Sequence, residues 1–154
     1  MTPDWAFLLP AIPICLWVIY SDLSAMRIPN VAVLALIGVF ALVGPFVLPL
    51  GEFGWRWIQL LIVVAAAMMG AVLGQVGMGD VKFAGAMALF IRPEDTMPYI
   101  WLFVIVLCAS LALHRLIRVV PALRGGMPDW RSWEHPGFPM GIPLAAALLI
   151  YLAL

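Results

Sequence analysis

Long apolar runs separated by short polar breaks organise this chain. Six runs stand out, at about residues 5–20, 29–48, 57–73, 80–91, 97–120 and 138–154. A helix needs about 20 mostly apolar residues to cross a bilayer. Five of the runs come near that length and are expected to span. The fourth does not: at about 1.5 Å per residue it reaches about 18 Å, against a hydrocarbon core of about 30 Å. The break before it, Gly77-Met78-Gly79-Asp80, is therefore expected below the membrane surface, in a wet or protein-lined pocket. The pattern predicts an all-α, polytopic transmembrane helix bundle of about six spans with a short fourth helix. It is expected to form a single membrane-embedded domain over residues 1–154.

The breaks carry their own signals. A polar stretch at residues 21–27 follows the first run, and Pro29 suits the first turn of the second helix. Gly51-Glu52-Phe53-Gly54 reads as a turn, with Trp55 and Trp57 as interface anchors. Gly70 and Gly74 offer a small-residue face for close helix packing. Arg92-Pro93 stops the fourth helix. The polar loop at residues 123–137 places Trp130 and Trp133 at an interface. No basic segment precedes the first run, which is expected to be a retained span rather than a cleaved signal peptide.

Composition agrees with lipid as the solvent. The chain of 154 residues is 66% hydrophobic and 10% charged, where a soluble domain carries about 25% charge. The net charge of zero gives no case for nucleic acid. Its distribution is more informative. Arg27, Lys82, Arg115, Arg118, Arg124 and Arg131 fall in the first, third and fifth breaks, and Arg56 and Arg92 in the second and fourth. The positive-inside rule then puts the odd breaks in the cytoplasm and the N-terminus outside. Cys15 and Cys108 lie in apolar runs and read as small buried hydrophobes.

Eight acids are available for chemistry. Asp4, Glu52, Glu94, Asp95, Asp129 and Glu134 read as solvated surface. Asp22 and Asp80 sit where an apolar run meets its break, and an ionisable group at membrane depth is a functional hypothesis by default. Asp80 could instead be a helix N-cap, and Asp22 a solvated residue past the first helix. As a pair on one membrane face they could do more. Two close carboxylates share a proton near neutrality, so one can activate water while the other protonates a carbonyl. Other hydrolytic signatures are missing: the histidines are His114 and His135, with no H-E-x-x-H, and no serine stands in G-x-S-x-G. The histidines read as interface or loop residues. No metal or cofactor is expected.

These residues also resemble a known family. Gly77-Met78-Gly79-Asp80-Val81-Lys82 is similar to the G-x-G-D-[VI]-K signature of type IV prepilin peptidases. Asp22 through Arg27, Ile28, Pro29 and Asn30 resembles their other aspartate motif. Phe138-Pro139-Met140-Gly141-Ile142-Pro143 resembles the start of their last helix. The resemblance implies that Asp22 and Asp80 are the catalytic pair, with Gly77, Gly79, Lys82, Arg27, Pro29 and Asn30 as supporting motif residues. It implies cleavage of a short basic leader from pilin or pilin-like precursors at the cytoplasmic face of a bacterial inner membrane. The glycines would let a backbone approach or turn.

Larger relatives carry a cytoplasmic segment with paired cysteines, which is not seen here. The resemblance is therefore to the short, peptidase-only branch of Flp (tight-adherence) pili, without methyltransferase activity. Archaeal preflagellin peptidases share the signature. Pro121-Ala122-Leu123 spells a presenilin motif but stands before a basic loop and reads as chance. A small transporter or pilus-assembly scaffold, using the aspartates as a proton or ion site, is the alternative of another class. The oligomeric state is not legible.

Overall fold

The computed structural model describes residues 4–74, 76–120, 124–125 and 128–154; Pro121-Ala122-Leu123 lies outside the described residues. Every described element is helical: α1 (Trp5–Ala25), α2 (Asn30–Val47), α3 (Leu50–Val72), α4 (Met78–Ala88), α5 (Thr96–Val119), a short α6 (Arg131–Glu134) and α7 (Gly141–Ala153). A 3-10 turn at Pro93–Asp95 leads into α5. The all-α class is as expected. Four helical stretches are long and apolar enough to cross a membrane: α1, α2, α3 and Pro93–Val119. Besides the single turn of α6, two helices are short, not one. α4 has 11 residues and α7 has 13, or about 17 and 20 Å of rise.

Several helix ends differ from the hydropathy pattern, each for a local reason. α1 continues through the polar residues to Ala25. Polar side chains do not break a helix, and Ser21 and Asp22 face a cleft. The stop comes at Met26, in the left-handed region at φ 54°, whose N–H returns to the Asp22 carbonyl at 2.9 Å. Pro29 is the N-cap of α2 rather than part of its first turn, and its carbonyl accepts the Ala32 N–H at 3.0 Å. Gly51 to Gly54 are helical, not a turn. Pro49 caps α3, its carbonyl takes the Phe53 N–H, and Glu52 pairs with Arg56 one turn on. Gly74 is not on a helix face. It lies just past α3 at φ 72°, a conformation glycine reaches without the Cβ penalty, and closes the helix by donating to Ala71.

The short α4 is enclosed by its neighbours. It packs along α3 and against α2 and α7, and Val81, Phe83, Ala86, Met87 and Ala88 are buried. Its C-terminal carbonyls stop short of any surface, so they need partners inside the bundle. Arg56 donates to the Leu89 carbonyl at 3.1 Å, and Gln59 to the Ile91 carbonyl at 3.2 Å. The Arg92 N–H donates to the Tyr151 hydroxyl, which donates in turn to Asp95 at 2.8 Å. An aromatic cluster closes this end: Phe40 stacks on Phe7 and Phe53, and Phe90 stands edge-on to Phe7 and Phe40. Three acids expected on the solvated surface are therefore engaged: Glu52 with Arg56, Asp95 with Tyr151, and Asp4 with Arg92 at 3.4 Å.

The opposite end holds the break before α4, the ends of α1 and α5, and the start of α7. Trp133 and His114, expected at an interface, are buried there; His114 stacks on Trp133 and meets Phe138 edge-on. Cys15 is buried as expected, but Cys108 is exposed on α5. α3 and α5 turn most of their apolar surface outward, including Leu61, Met69, Val72, Trp101, Ile105 and Leu116. Such surface is stable against lipid, where it replaces no water. The chain is a membrane protein.

Candidate active site

Asp22 stands in the last turn of α1, inside the helix and not beyond it. Only 5% of the residue is exposed. Its Oδ2 accepts the backbone N–H of Gly141 at 2.6 Å. Gly141 is the first residue of α7, so the start of the last helix is pinned to the end of the first. A Cβ on Gly141 would stand 2.8 Å from that carboxylate oxygen.

Asp80 is not an N-cap. The cap of α4 is Gly77, in extended conformation at φ −72° and ψ 146°, and Asp80 is the third helical residue. The side chain folds back on the cap, and a Cβ at position 77 would stand 3.0 Å from Oδ2. Gly77 is therefore explained by room for the aspartate, not by an unusual backbone. A Cβ at Gly79 would meet only ordinary contact with Ile28, at 3.5 Å. The glycine keeps the helix start close to the Ile28-Pro29 segment.

A cleft of about 630 Å³ opens at this end of the bundle. It is lined by both aspartates and by all six expected motif residues: Arg27, Pro29, Asn30, Gly77, Gly79 and Lys82. The first break and the third thus form one wall-to-wall site, though more than 50 residues apart in the chain. Lys82 joins them directly, donating to the Asn30 side-chain oxygen at 3.3 Å. Ser21 bonds the Arg27 carbonyl at 2.9 Å and shapes the turn after α1. Met26, Met78, Phe138 and Met140 supply apolar lining. The remaining acids do not line this cleft, and Asp129 and Glu134 are exposed. Among the described residues no three His, Cys, Asp or Glu side chains come together as a metal site would require.

Two carboxylates in one half-enclosed, water-accessible cleft can hold one proton between them and hand it across a polarised carbonyl. Residues 9–113 match the type IV leader peptidase family, about two thirds of the chain and both aspartates with it. The chain belongs to that family. No curated protein and no solved structure matches it. As a member it is a leader peptidase, and pilin precursors are the general class of substrate. The matched stretch ends in α5, so the contact between Asp22 and α7 lies partly outside it.

In the sequence Gly141 is marked only as part of a helix start. The contact was readable in principle: a Pro-Met-Gly break on the same face as two acids at helix ends is a source of free backbone N–H groups.

Proposed function

We propose that this leader peptidase is an aspartic endopeptidase of the bacterial inner membrane, with Asp22 and Asp80 as its catalytic pair. The reading extends to a single membrane-embedded domain that removes the short basic leader of pilin precursors at the cytoplasmic face. Its pilins would be of the Flp, tight-adherence kind. The observation that carries the reading is the meeting of both aspartates and six motif residues in one cleft.

The reaction needs no covalent intermediate. One carboxylate takes a proton from water as the water oxygen bonds the scissile carbonyl carbon. The protonated partner gives its proton to the carbonyl oxygen. The resulting diol collapses, the C–N bond breaks, and the amine leaves with the proton first taken from water. The diol hydroxyl returns a proton to the second carboxylate, and the pair is restored.

A co-expressed pilin precursor should shift to its processed size on a gel with the intact chain and not with an empty vector. Absence of any shift with pilins of the Flp kind would count against this substrate class.

The orientation has a separate test. The end bearing the cleft also bears most of the Lys and Arg, which supports a cytoplasmic site. Single cysteines at the exposed positions Glu94 and Glu134 would report it, on a background with Cys15 and Cys108 replaced by alanine. An impermeant thiol reagent on whole cells should label position 94 and spare 134. The reverse pattern would put the aspartates on the wrong face for a cytoplasmic leader.

A further inference from the structure

We propose that Gly141 is a positioning residue that holds Asp22 as the ionised base of the pair and leaves Asp80 as the proton donor. The inference rests on the reading of both aspartates as catalytic. Its ground is the 2.6 Å bond from the Gly141 N–H to Asp22 Oδ2, at a buried carboxylate. A donated N–H favours the charged form of a carboxyl. Both aspartates stand at a helix N-terminus, Asp22 at that of α7 and Asp80 in the first turn of α4, so the helix dipoles do not separate them and the short bond does. Asp80 faces only the N–H of its own cap, Gly77, and makes no bond of that length among the described residues. With Oδ2 committed, Oδ1 of Asp22 is left for the attacking water.

The position admits only glycine. A Cβ at 141 would lie 2.8, 3.0 and 3.1 Å from Asp22 Oδ2, Cβ and Cγ. The titratable groups around Asp22 are Asp80 and Lys82 of α4 and Arg27 past α1, all on the cleft. α2 contributes none, the one titratable group of α7 is Tyr151 at its far end, and Arg131, Glu134 and His135 at α6 are exposed. In the step, Asp22 accepts the water proton and Asp80 donates to the carbonyl oxygen. On collapse Asp22 protonates the departing amine and Asp80 regains its proton from the diol.

The test is the pH profile of pilin processing by the purified chain in detergent. Gly141→Ala should lower kcat by on the order of 100-fold with KM little changed. The acid limb should move to higher pH by about one unit, the size of one lost charge-assisted bond, and the alkaline limb should stay. Movement of the alkaline limb would make Asp22 the acid and overturn the assignment. A loss of rate with neither limb moved would reduce Gly141 to a structural role and overturn it too. If Gly141→Ala does not fold, Asp22→Gly/Gly141→Ala should, because Oδ2, Cγ and Cβ of position 22 are then all gone; failure of that pair as well would refute the contact. The infrared band of a protonated carboxyl at neutral pH gives a second readout. It should vanish in Asp80→Asn, and its loss in Asp22→Asn alone would reverse the roles. Continued processing by either asparagine variant would instead sink the aspartic reading itself.

Discussion

Asp22→Asn or Asp80→Asn, each alone, is expected to abolish pilin processing, with a fall of about 10³-fold or more. General acid–base transfer by a positioned side chain is worth roughly 10²–10⁴. In the proposed mechanism each carboxyl serves in both halves of the reaction, so neither half survives its loss. The double variant should be no worse than either single one, because members of one catalytic unit are not additive. Amounts in the membrane should stay near those of the parent chain. Neither substitution changes volume, and asparagine at position 22 can still accept the Gly141 N–H through its amide oxygen. The measurement is the ratio of processed to unprocessed pilin at matched enzyme levels. Substantial cleavage by either single variant would sink the mechanism. A fall in both activity and membrane level would show a folding role instead.

The spans were legible in the sequence because lipid imposes a simple rule of apolar length on any helix that crosses it. α2 and α5 match their hydropathy runs to within about a residue or two. The two aspartates were legible because charge is costly where the pattern put them. Helix ends were not, since hydropathy reports what a residue faces and not whether its backbone is helical. Ser21 and Asp22 are polar because they face the cleft, yet they continue α1. Gly51 and Gly54 looked like a turn, but a proline cap and an i,i+4 ion pair carry the helix through them.

The short helix shows a further limit. Its length was readable, and the pocket at its start followed from that length. How its far end is satisfied was not readable. Arg56 looked like an outer-loop cation, and nothing in a one-dimensional pattern pairs it with Leu89, 33 residues away. Distant polar contacts of this kind follow only from the packing of α3 on α4. The same is true of Asp22 and Gly141, 119 residues apart.

Arg56→Met should therefore be among the most destabilising single changes in the chain. Arg56 is 2% exposed, a rare place for a guanidinium, and it holds two partners at once. One is the Glu52 side chain, one turn back on α3; the other is the Leu89 carbonyl beyond the end of α4. Methionine keeps the packing of the apolar stem and ends two atoms short of the guanidinium nitrogens, so no large cavity forms. What is lost is polar satisfaction. The Leu89 carbonyl would lose this side-chain donor, and Glu52 would lose its counter-charge. Removing one partner of a buried ion pair costs about 3–5 kcal/mol. The Glu52 side chain is one-third exposed and can recover some hydration, which points to the low end, about 3 kcal/mol. Thermal unfolding of the purified chain in detergent would read this as a large fall in midpoint, with a matching fall in membrane level. Arg56→Lys should lose less, but not little, since a single ammonium cannot reproduce the fork that reaches both partners. Gln59→Leu, which frees only the Ile91 carbonyl, should cost about 1 kcal/mol. An unchanged midpoint in Arg56→Met would mean that the end of α4 needs no side-chain donor. The enclosed short helix would then have to be held by packing against α3 alone.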